Sequence, residues 1–215
     1  MRLTFFMVLL AWSSWLPAYG SDVGLVNMVT GEVAYVSASK ATGKARPFMT
    51  VREGDRFNLS SGSQLKVVFF DGGRQEIWQG PASFRAGRSA TLPIAGKPTE
   101  ATNLPVGAAQ RIARVPDLMQ HARLGGIQVR GTLTRKQEAS LQQQENIREA
   151  RATYAQMQKT APADDITPEL YLYAALYEYL MYSEMSTVVE EMQRKQPNND
   201  DVKALAAWVK TRTPK

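Results

Sequence analysis

The stretch from Met49 to Gly87, MTVREGDRFNLSSGSQLKVVFFDGGRQEIWQGPASFRAG, constrains the fold more than any other part of this chain. Gly54-Asp55, Ser61-Gly62, Asp71-Gly72-Gly73 and Gly80-Pro81 are turn signals. Between them, Phe57 with Leu59, then Leu65, Val67 and Phe69, then Ile77 with Trp78, form apolar runs too short for helices and suited to strands. Asp71-Gly72 between two such runs predicts a hairpin, because a tight turn that matches strand twist needs positive φ at its centre.

The same punctuation extends from Val23 to Ile94. Gly24 to Gly31 is followed by Glu32 to Val36, where Val33 and Tyr35 alternate with Glu32 and Ala34, the signature of a strand with one face in the core. Ala41 to Ala45 reads as a loop, Ser83-Phe84-Arg85 and Ala90-Thr91-Leu92 as further strands, and Gly96 to Pro105 as a polar linker. Short strands at this density predict an all-β sandwich, roll or solenoid-like unit. Ala108 to Arg123 reads as short helical turns interrupted by Pro116. Leu124 to Thr132 then reads as a strand whose Ile127 and Val129 return to the sheet, so the β-domain is expected over 21–133 with a helical insertion near 108–123.

From Thr134 the period changes to that of helices. Thr134 is a candidate cap, and Leu141, Ile147, Ala150, Tyr154 and Met157 recur at helical spacing. Pro162 stops this helix; Thr167 as cap and Pro168 in the first turn open the next, Leu170 to Tyr182, which is apolar nearly all round and is expected to be covered on most sides. Ser186 to Lys195 and Asp200 to Thr211 follow as helices, with Pro197 to Asp200 as turn and cap. Met157 to Pro162 returns as Met192 to Pro197, an offset of 35 residues. That period resembles the roughly 34 residues of tetratricopeptide helix pairs, although Met and Tyr partly replace the small residues that family uses at helix crossings. Residues 134–215 therefore read as an antiparallel helical array of about two such units, with ordinary helical hairpins as the alternative.

Met1 to Gly20 carries Arg2, an apolar run from Leu3 to Trp12, and small residues at Ala18 and Gly20, the features of a secretory signal peptide cleaved before Ser21. The apolar run is short for a membrane span, and no later segment offers about eighteen consecutive apolar residues. No retained transmembrane helix and a periplasmic or secreted location are expected. In the β region, Val26-x-x-x-x-Gly31-x-Val33, the Glu53-Gly54-Asp55 turn, the Ser61-Gly62-Ser63 turn before Leu65-x-Val67-x-Phe69, and Asp71-Gly72-Gly73 resemble the FecR domain, a bacterial periplasmic β-domain. The likeness covers about a third of the chain. It implies an extracytoplasmic, non-catalytic module, in a family whose namesake relays iron-siderophore status to a sigma factor. This chain departs from the namesake in lacking a cytoplasmic segment and a retained membrane helix, so it is not expected to pass a signal across the inner membrane alone.

The chain has no cysteine and a single histidine, His121, which excludes disulfides, thiolate metal sites and thiol nucleophiles and leaves little material for histidine-dependent chemistry. No cofactor is expected. Net charge is +6, distributed as +3 over residues 21–100, +5 over 101–160 and −3 over 161–215. The basic middle is interspersed with Gln and Glu and lacks stacking aromatics, so nucleic acid is not an expected partner. Asp71 with Glu76 as a catalytic carboxylate pair, and Ser60, Ser61 or Ser63 as nucleophiles, are weaker readings than turn chemistry, because acyl transfer also needs a base. Trp78 with Phe84 and Phe57 is either core or an aromatic platform for a glycan. Tyr171 and Tyr177 either pack between helices or line a partner groove, and Arg123, Arg130, Arg135 and Lys136 either are solvated or form a basic junction patch.

These readings combine into an α+β chain: a signal peptide over 1–20, a FecR-like β-domain over 21–133 and a tetratricopeptide-like region over 134–215. The function expected is that of a non-enzymatic binding or scaffold protein of the bacterial envelope with a protein partner. The alternative is a cell-wall polysaccharide or peptidoglycan binder, and the third reading an envelope hydrolase.

Overall fold

A strand that is apolar on both faces has to be covered twice, and the run QLKVVF shows it. In the computed structural model, which describes residues 21–123 and 141–213, this strand is buried along nearly its whole length, whereas RFNL at Arg56–Leu59 alternates exposed and buried. The difference marks a middle layer and an outer one.

Among the described residues, ten strands form two antiparallel five-stranded sheets. The first contains β1 (Asp22–Thr30), β4 (Thr50–Arg52), β6 (Gln64–Phe69), β7 (Arg74–Gln79) and β10 (Glu100–Asn103), in the order β10-β7-β6-β1-β4. The second contains β2 (Val33–Val36), β3 (Thr42–Lys44), β5 (Arg56–Leu59), β8 (Ala82–Ala86) and β9 (Thr91–Ala95), in the order β3-β2-β5-β8-β9. Facing side chains of both sheets make one core: Val26, Leu65, Val67 and Phe69 from the first meet Val33, Phe57 and Phe84 from the second. Trp78 packs against Phe84 with the rings tilted and 4.7 Å between centroids.

Helices α1 (Ala108–Ile112), α2 (Val115–Arg123), α3 (Leu141–Thr160), α4 (Thr167–Tyr177), α5 (Tyr182–Lys195) and α6 (Asp200–Lys210) cover the other face of the first sheet. Leu25 and Phe48 join their apolar cluster, giving the layer order sheet, sheet, helices. The chain is thus α+β, with antiparallel sheets followed by helices. Among the described residues no helix is long and apolar enough to cross a membrane.

Several boundaries differ from the expectations. The linker at Gly96 to Pro105 contains β10, which pairs with β7 from Glu100↔Ile77 to Asn103↔Arg74; its side chains are all exposed, so no alternation marks it. The loop at Ala41 to Ala45 holds β3, equally exposed. The interruption expected at Pro116 falls just before it: α1 ends at Ile112 and α2 starts at Val115, with Pro116 in its first turn, where a missing N–H removes no bond within α2. α1 and α2 pack on α4 and α6, within the helical layer.

The long helix read from Leu170 to Tyr182 stops at Tyr177. Leu180 takes φ 55°, its N–H bonds Tyr177 O at 3.0 Å, and Met181 N–H bonds Leu176 O at 3.1 Å. This is a Schellman closure with leucine where glycine is usual, so no glycine announced it. Thr167 is not the cap of α4; the preceding Asp165 accepts the Thr167 N–H at 2.9 Å. Asn199 caps α6 as the turn at Pro197 to Asp200 required, accepting N–H from Asp201 and Val202. The signal-peptide reading, the strand at Leu124 to Thr132 and the Thr134 cap lie outside the described residues.

Candidate functional site

The helical layer is fixed to the sheet by a buried charge pair. Lys66, the one charged residue of β6, points at the helices and is 1% exposed; its Nζ lies 2.7 Å from Oδ2 of Asp165, which is 3% exposed. Register between β1 and β6 slips between Val26 and Met28, and the extra residue, Asn27, turns its amide to the same place. Asn27 Nδ2 donates to Asp165 Oδ1 at 3.0 Å and also to Thr167 Oγ1, while Thr167 Oγ1 donates to Asp165 Oδ1 at 2.5 Å. Desolvating both charges offsets much of their attraction, so the network sets position more than it adds stability. It seats the start of α4 over β1 and β6.

Beside this seat lies a cleft of about 300 Å³. Gln75 and Thr102 face each other across β7 and β10, and Glu100 follows on the same face, so strand alternation sends all three towards the helices. Leu104 continues that side, and Met157 and Pro168 bound the cleft opposite. Gln75 is 6% exposed and its Oε1 accepts no hydrogen bond from any described residue.

A second concavity, about 520 Å³, runs between α3 and α5. Leu172, Leu176 and Val188 supply its apolar surface, and Arg151 pairs with Glu184 at 2.6 Å on its rim. Arg194 forms an ion pair with Glu191 there. Next to it the fully buried Glu169 receives Lys195 Nζ at 2.9 and 3.0 Å and the Tyr154 hydroxyl at 3.1 Å. Burial and then the Glu169 carboxylate push the Tyr154 phenol well above its ordinary range, so it stays a proton donor. The surface thus combines apolar area with paired charges of both signs.

Comparison with protein-family models, with curated proteins and with solved structures gives no match.

The residues singled out from sequence fall differently. Trp78 is fully buried, donating its ring N–H to Glu76 at 3.2 Å, so it is core and not a surface platform: pairing with Leu65 in β6 turns it into the sandwich. Tyr171 is buried with the Arg111 guanidinium over its ring, and Tyr177 packs against Trp208, so both tyrosines join helices instead of lining the groove between α3 and α5. Arg130, Arg135 and Lys136 lie outside the described residues, as do the side chains of Arg123 and His121. Asp71 sits in the exposed turn between β6 and β7 near Arg88, whereas Glu76 is buried and held by Arg74, Trp78 and Thr91. The structure does not bring those two carboxylates into one site.

Lys66, Asp165, Gln75, Arg151 and Arg194 were missed. Only Lys66 carried a legible signal, a lone charge inside an apolar strand; the others are ordinary polar residues until the layers are stacked.

Proposed function

We propose that this chain is an exported, non-enzymatic binding or scaffold protein of the bacterial envelope, with a FecR-like β-domain and a tetratricopeptide-like helical layer that meets a partner protein. The observation that carries the reading is the groove between α3 and α5, whose apolar surface on α4 is rimmed by the Arg151–Glu184 pair and by Arg194. Supporting the tetratricopeptide-like description, the two copies of the sequence repeat fall on equivalent places: Met157 and Met192 are buried near the ends of α3 and α5, and Pro162 and Pro197 lie in the turns that follow. Supporting the FecR-like description, the quoted glycines Gly31, Gly54, Gly62, Gly72 and Gly73 all have positive φ, so they are turn-forming in fact. At Gly31, with φ 72°, a Cβ would also come within 3.0 Å of Ser63, which is why that spacing needs glycine.

Because the chain has no cysteine, one introduced thiol reports from one place. Thr187→Cys, exposed on the groove, carrying a photo-crosslinker, is expected to join one envelope protein in periplasmic extract, and Arg151→Glu with Arg194→Glu is expected to abolish that adduct. An adduct of equal yield from a probe on the exposed β3 residue Lys44, or one indifferent to the charge reversals, would remove the partner-groove reading. Recovery of the chain from the cytosol with its first twenty residues intact would remove export. The glycan reading loses its aromatic platform with Trp78 buried.

A further inference from the structure

We propose that the cleft between β10, the end of α3 and the start of α4 binds an extended peptide through a lysine- or arginine-type side chain. The inference deepens the binding-protein reading and rests on it in that respect alone.

Three observations converge. The first is the orphan acceptor: Gln75 is nine-tenths buried, lines the cleft, and its Oε1 has no partner among the described residues. A buried acceptor left unpaired is costly, and a ligand that donates an N–H to it recovers that cost. The second is charge. Glu100 lines the cleft and, among the described residues, no Lys or Arg does, while Asp165 at its inner end is already neutralised by Lys66. The local field therefore favours a cation. Leu104 and Met157 offer apolar surface along which an alkyl stem can lie with its charged tip at Gln75 and Glu100.

The third is the adjoining edge. β10 is the terminal strand of its sheet and is exposed throughout. Leu104 N–H bonds Gly73 O at 2.9 Å, and by antiparallel alternation the backbone groups of Ala101 and Asn103 face away from β7. An added strand pairs with those groups, and every second side chain of it lies on the face where the cleft opens. A free amine would use the cleft but not the edge.

The test uses the purified chain and a fluorescein-labelled, N-acetylated peptide of alternating alanine and lysine, read by anisotropy. Saturable binding is expected. Gln75→Leu should weaken it at least about tenfold, as loss of a charge-assisted hydrogen bond does, while leaving the melting temperature equal or higher because an unpaired buried amide has gone. Glu100→Gln, an exposed substitution, should weaken it without affecting folding. Equal binding by wild type and both variants, or by the same peptide with its lysines acetylated, overturns the proposal. Displacement by butylamine at the concentration of peptide that half-saturates assigns the cleft to small amines and overturns the peptide. The crosslinking groove between α3 and α5 is untouched by these variants, so its adduct persists or fails independently.

Discussion

At the residue scale, buried charges set the pattern of consequences. Lys66 and Asp165 are both sequestered, so removing one leaves the other without compensation. Lys66→Met is expected to cost about 3–5 kcal/mol, and adding Asp165→Asn should recover part of it, since the remaining group is neutral; urea unfolding of the two singles and the double checks this. Asp55 is another buried carboxylate, accepting from the Tyr35 hydroxyl at 3.1 Å, Ala38 N–H at 3.0 Å and Arg52 N–H at 2.9 Å. Burial first and the Asp55 charge second push the Tyr35 phenol up to about 12 from 10.0. Burial first raises the Tyr154 and Tyr173 phenols in the same direction. A raised folded-state value means the fold holds the proton more tightly. The associated stability is complete below the unfolded phenol value and is lost as pH rises through the folded one. Far-ultraviolet circular dichroism should therefore hold to about pH 10 and fall as tyrosinate absorbance grows, and Tyr35→Phe should delay the fall. Sequence showed Asp55 as a turn residue, which it is, but the hydroxyl that reaches it comes from β2 and only folding brings the two together.

At the element scale, α4 explains most of the helical layer. From Thr167 to Leu176 every residue is buried, because α1, α3 and α5 surround it and its first turn rests on the sheet. Leu170→Ala is expected to cost about 2–5 kcal/mol, against less than about 0.5 kcal/mol for Leu141→Ala on the exposed start of α3, both read by thermal or urea unfolding. The absence of a polar face was legible in TPELYLYAALY; the end of the helix was not. The closure at Leu180 relies on a left-handed leucine, which hydrophobic periodicity runs straight through. Leu180→Gly should stabilise the chain by about 0.5–1 kcal/mol, the left-handed strain relieved less the extra backbone entropy of glycine. The polar strands β3 and β10 were hidden for a related reason: an edge strand exposed on both faces has no alternation to read.

At the scale of the whole molecule, the first sheet is expected to need the helices, because without them Leu25 and Val68 would face water. In the chain from Ser21 on, the two tryptophans are Trp78 in the sandwich and Trp208 in α6, one reporter among the sheets and one among the helices. With Trp208→Phe and Trp78→Phe used separately, fluorescence should give the same urea midpoint as circular dichroism; midpoints well apart would mean that the layers unfold independently. What the amino-acid sequence determined alone was the order of events along the chain. Glycine turns and short apolar runs dictated strands, and the change of period dictated helices, since both follow from bonds between near neighbours. Which strands share a sheet, that the sheets stack and that α4 rests on Lys66 was decided by tertiary structure. The cleft at Gln75 belongs there too, because its residues come from segments some ninety positions apart and acquire a common environment only when the layers close.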